Sequence, residues 1–132
     1  PDQVQIYEAI LGDPRGRVTT GLLTATQYLK DNRLLPRGFD KANANPEIAV
    51  YGEANADPDF TGGGDRIVYR LASTDSRPMA VEVELRYQPI GYRWAHNLGT
   101  YDASEPQRFV RYYTAMSGAA STAVARATLT IP

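Results

Sequence analysis

The chain contains no cysteine. That excludes, within these residues, disulfides, thiolate zinc sites, iron–sulfur ligation, CxxCH haem attachment and a cysteine nucleophile. It does not fix the compartment, since periplasmic domains also do without cysteine. Histidine and tryptophan each occur once. An excess of charge of one sign is missing too: 14 basic and 15 acidic residues leave a net charge of -1. Without a basic stripe there is no field to recruit a polyanion, so no nucleic-acid partner is expected. No run of 18 apolar residues exists and no basic-then-apolar signal segment opens the chain, so no membrane insertion is expected.

What is present suits a folded domain. At 132 residues, 42% of them apolar, the chain can bury a core without staples, and residues 1–132 are read as a single β-sandwich domain. It opens at Pro1 without Met and closes on the strand-like "TLTIP", the expectation being a processed mature protein, a fragment or the C-terminal domain of a longer one.

Along the chain, "QVQIYEAIL" (3–11) reads as a strand and "GDPRGR" (12–17) as a hairpin turn, with Pro14 presetting φ and Gly12 and Gly16 tolerating positive φ. "VTTGLLTATQYLKDN" carries conflicting signals. Leu22, Leu23, Thr26 and Leu29 fall on a helical face, yet its β-branched residues and Gly21 favour a strand. "PMAVEVELRYQP" (78–89) alternates strictly, the pattern of a strand with one buried and one wet face. "RIVYRLAS" (66–73) is its expected antiparallel partner across a "TDSR" turn. "EIAVYG" (47–52) offers a short strand in an otherwise Asn/Asp/Gly-rich region. "EPQRFVRYYTAM" (105–116) spaces Phe109, Tyr112, Tyr113 and Met116 for one amphipathic helix, with Ser104 to cap it and Pro106 in its first turn. "TAVARATLTIP" returns to β alternation. The sum predicts an all-β, immunoglobulin-like antiparallel sandwich with one short helix.

Several constellations invite a functional reading, and each has a plainer rival. His96, in "YRWAHNLG", lacks the further ligands or nucleophile that chemistry needs, and reads as a strand-end or loop histidine. In "NADPDFTGGGD", Asp57, Asp59 and Asp65 are calcium candidates, but an EF-hand would need Glu where Arg66 stands, so a solvated loop is the simpler reading. "GGGD" is followed by no Lys-Ser/Thr and opens no helix, which argues against a phosphate cradle. Glu82 and Glu84 share the wet face of a strand, where without a cleft they are ordinary surface. Tyr87, Tyr92, Trp94 and Tyr101 concentrate in "YQPIGYRWAHNLGTY", together with Arg93 and His96. Facing out at period 2 on a sheet the aromatics would form a sugar-stacking platform; otherwise they are core or a partner surface. The set Tyr87, Tyr92, Arg93, Trp94, His96 and Tyr101 is the candidate interaction surface.

"KDNRLLPRGFDK" (30–41) gathers the devices of a sandwich corner: Asp31 or Asn32 to bond the backbone, Pro36 to end pairing, Gly38 to permit reversal. The order "VQIYEAILGD", "LLTATQYLKDNRLLPRGFDK", "GGGDRIVYRL", "VEVELRYQPIGYRWAHNL", "EPQRFVRYYTAM" resembles the carboxy-terminal β-sandwich region of exported proteobacterial multihaem c-type cytochrome-like proteins. The resemblance spans Val4 to Met116, and none of its motifs encodes a reaction. It implies a periplasmic or secreted electron-transfer parent with haem c bound upstream, and no cofactor in this piece. This stretch is then a non-catalytic accessory domain for protein–protein interaction, its partner another protein or the haem domain of the same polypeptide.

Overall fold

The structure is a computed structural model and describes residues 4–70 and 78–131. The chain divides into two compact units, Pro1–Arg70 and Leu71–Pro132, each treated by itself.

In the first unit β1 (Ala9–Gly12), β2 (Val18–Thr19) and β3 (Gln27–Asp31) form an antiparallel sheet in the order β2-β1-β3. The turn between β1 and β2 is organised by Asp13. One carboxylate oxygen accepts the backbone N–H groups of Arg15 and Arg17, and the other accepts the Arg17 guanidinium, while Gly16 takes a φ of 74°. The ambiguous segment that follows is extended at both ends and broken in the middle. Thr24 and Ala25 donate back to the Gly21 carbonyl, leaving Leu22 and Leu23 exposed at the tip.

β1 begins at Ala9, later than its sequence pattern predicts, because a side chain replaces the ladder upstream. Asn32, just past the end of β3, accepts the Glu8 N–H at 2.9 Å and donates to the Ile6 carbonyl at 3.0 Å. The expected strand at 47–52 is reduced to one bridge, Asp31 to Tyr51, ahead of the short helix α1 (Glu53–Ala56). Val50 and Phe60 are the buried apolar residues here; Tyr7 stacks on Phe60 and Tyr28 on Tyr51.

"KDNRLLPRGFDK" runs out of β3 into a tight loop. Arg33 forks onto the Asp31 carboxylate, Phe39 N–H donates to the Pro36 carbonyl and Gly63 N–H to the Leu35 carbonyl. The loop is therefore strapped to the "TGGG" turn, which no periodicity in the sequence announces.

In the second unit β4 (Met79–Tyr87) pairs antiparallel with β5 (Thr122–Ile131), and α2 (Tyr92–Leu98) and α3 (Ser104–Ala120) lie between them in sequence. Three sequence expectations are corrected. β4 pairs with β5, and the described residues Arg66–Arg70 of the expected partner carry no strand, because β propensity yields a strand only where a ladder partner is within reach. Residues 71–77, including the "TDSR" turn, lie outside the described residues. The segment around His96 is a helix rather than a strand end, since Gly91 and Gly99 bracket it and Ala95 and Leu98 keep helical spacing. The helix expected over 105–116 extends to Ala120.

The described fold is thus two small antiparallel sheets with three helices and no barrel. No described helix is long and apolar enough to cross a membrane.

Candidate interaction surface

The aromatic cluster of the second unit is built on a helical hairpin. Ala95 is buried and small, which lets α2 and α3 approach. Gln107 from the first turn of α3 donates to the carbonyls of Gly99 and Tyr101 at 3.2 and 2.9 Å, fixing the connection. Gly99 N–H closes the end of α2 on the Ala95 and His96 carbonyls.

On that frame Tyr92 and His96, one turn apart, stack with centroids 5.5 Å from each other. Trp94 is 44% exposed and Tyr92 67%. Tyr101 is exposed in the connection and Tyr87 at the end of β4. Arg93 is exposed between the two α2 aromatics. All six candidates therefore reach the surface. Tyr92 and Trp94 do not share a face, because residues two apart on a helix diverge. The period-2 sheet platform expected for sugar stacking is not formed by this pair.

Glu82 and Glu84 are both taken up in ion pairs. Arg126 meets both, at 3.1 Å for Glu82, and Arg86 meets Glu84. The hydrogen bonds from Arg86 and then Arg126 hold the Glu84 carboxyl below the usual range.

The first unit contains a cleft of about 390 Å³, walled by Lys30, Asn32, Glu53, Asp57, Phe60 and Asp65 among others. Two of the calcium candidates, Asp57 and Asp65, line it. Asp57 is turned to its own loop, accepting the Asp59 N–H at 2.9 Å. Asp65 accepts the Tyr7 hydroxyl at 2.8 Å on one oxygen, and its other oxygen is buried without a hydrogen bond. Burial first, then the hydrogen bond to Asp65, pushes the Tyr7 hydroxyl well above the ordinary tyrosine range. Both nearby ammonium groups are engaged: Lys30 on the Ile6 carbonyl and Glu8, Lys41 on the carbonyls of Ala54 and Asp57. Among the described residues no three acidic or histidine side chains converge as a metal site. Sequence reading missed Lys30 and Glu53 as walls of one cleft; only the fold brings 30, 53 and 65 together, and no local pattern signals it.

A c-type haem does not fit these residues. Covalent attachment uses two cysteines, of which there are none, and His96 is stacked on Tyr92 rather than held in an apolar pocket. No known protein family, no curated protein and no solved structure matches the chain.

Proposed function

We propose that this chain is a non-catalytic accessory domain of an exported multihaem cytochrome-like protein, and that it docks a protein partner through α2. Haem c and electron transfer belong to the parent polypeptide, in the periplasm or outside the cell. The observation that carries the docking reading is the exposure of Tyr92, Arg93 and Trp94 on one short, braced helix. Tyr, Trp and Arg are the types that dominate binding hot spots. A helix held by Ala95 packing and the Gln107 bonds presents them at little ordering cost.

The test is titration of the chain with the purified haem portion of the parent polypeptide, followed by Trp94 fluorescence and calorimetry. Trp94→Ala should weaken binding by about tenfold or more, the effect of losing one hot spot, with an unchanged far-UV spectrum. Binding unaffected by Trp94→Ala would remove α2 as the docking element. A fluorescence response to oligosaccharides, with none to the haem portion, would favour a carbohydrate-binding module instead.

A further inference from the structure

The register of β4 on β5 sorts the ribbon into two unlike faces. Met79 pairs with Ile131, Val81 with Leu129, Val83 with Ala127 and Leu85 with Ala125. Paired residues point to the same side of a sheet, so one face is four successive rungs of apolar side chains. The alternate rungs, Ala80 with Thr130, Glu82 with Thr128 and Glu84 with Arg126, make a polar face laced by the Arg126 and Arg86 ion pairs. Among the described residues of the unit much of the apolar face stays open: α2 and α3 pack on each other, Leu129 is 62% exposed, Val83, Leu85 and Ile131 are exposed with it, and Met79 and Val81 are half-buried. A two-stranded ribbon with such a face open is marginal in water.

We propose that a second copy of this chain covers that face, giving a two-layer β dimer. This goes beyond the docking reading and uses none of the α2 residues.

The occupant is indicated by the distribution of side-chain volume. A two-fold axis parallel to the strands lays β4 of each copy over β5 of the other at the same height. Val83 then faces Ala127 of the second copy and Leu85 faces Ala125, large on small, and both contacts recur across the axis. That is the self-complementarity an isologous interface requires. At the other end Val81 meets Leu129 and Met79 meets Ile131. No charge is buried, since Glu82, Glu84 and Arg126 all lie on the outer face. Closing two such faces removes on the order of 1,000 Å² of surface, the lower bound for a specific interface. The dimer is therefore a weak one, with dissociation in the micromolar range.

The experiment is sedimentation equilibrium of the full chain at concentrations from about 1 to 500 µM, a range that brackets the affinity expected of so small an interface. A reversible monomer–dimer equilibrium is expected. Leu85→Thr with Leu129→Thr installs β-branched strand formers that preserve the strands and should weaken dimerisation at least tenfold. Thr128→Lys, on the outer face, should leave it unchanged. Ala127→Lys guards against loss of folding: the position is already exposed, so the charge suits the monomer and opposes only the dimer. Monomer at every concentration, or a dimer that persists at wild-type strength in Ala127→Lys, overturns the proposal.

Discussion

Gly62 and Gly64 sit two residues apart in one glycine run, yet the same substitution should have opposite effects at the two positions. A Cβ on Gly62 would stand 2.6 Å from the Phe39 carbonyl oxygen, 2.8 Å from its nitrogen and 3.2 Å from the Pro36 carbonyl oxygen. All three are backbone atoms. The loop they belong to is tied down by the Phe39 and Gly63 N–H bonds to Pro36 and Leu35, so it cannot retreat without breaking those bonds. Overpacking of this kind costs about 1–3 kcal/mol. The stiffer unfolded chain returns only about 0.4–1 kcal/mol, leaving Gly62→Ala destabilised by roughly 1–2 kcal/mol by that balance. A Cβ on Gly64 meets nothing within 4 Å, and its φ is not positive, so only the favourable entropy remains, about 0.4–1 kcal/mol. Urea unfolding of the full chain, followed by far-UV circular dichroism, separates the two. With a denaturant slope of about 1–3 kcal/mol/M, Gly62→Ala should lower the midpoint by roughly 0.5–1 M, and Gly64→Ala should raise it by a few tenths. Midpoints equal within about 0.2 M, well inside that spread, would refute the strapped-loop geometry.

Two further outcomes concern other bonds. Asn32→Leu removes the acceptor that the Glu8 N–H uses, while the Ile6 carbonyl keeps the Lys30 ammonium. It should cost about 1–3 kcal/mol and accelerate hydrogen exchange at the Glu8 amide, and unchanged exchange there would contradict the side-chain ladder. Asp13, Asp40, Glu84 and Glu105 all have carboxyls held below their usual range, by the Arg17 backbone N–H, the Asn43 amide, the Arg86 guanidinium and the Ser104 hydroxyl respectively. Their folded pKa values lie below the unfolded ones, so their contribution is complete above the ordinary carboxylate values near ~4 and is lost as pH falls through the folded values. The urea midpoint should be flat from about pH 7 to 5 and fall steadily below about 4; a midpoint constant down to pH ~2 would show that these bonds are not specific to the folded state.

The sequence alone determined features set by local spacing and turn chemistry. Met79 to Tyr87 alternates strictly enough to be legible as a strand, the Asp13–Gly16 turn carries its own capping carboxylate, and Phe109, Tyr112, Tyr113 and Met116 mark α3. The helical nature of Tyr92–Leu98 was also present locally, in the Gly91 and Gly99 brackets, but β-rich surroundings outweighed so short a signal. Tertiary structure decided whatever depends on partners distant in the chain. β4 could have paired with any extended neighbour of matching alternation, and only the folded register joins it to β5, 42 residues away at the Glu84–Arg126 rung. Likewise nothing near Asn32 reveals that its amide completes a ladder with Ile6 and Glu8. Which side chains face outward depends equally on the fold, because an aromatic's exposure is set by what packs over it. Spacing carries the period of a strand or helix; it carries neither the partner of a strand nor the cover of a face, and the candidate surfaces of this protein rest on those two.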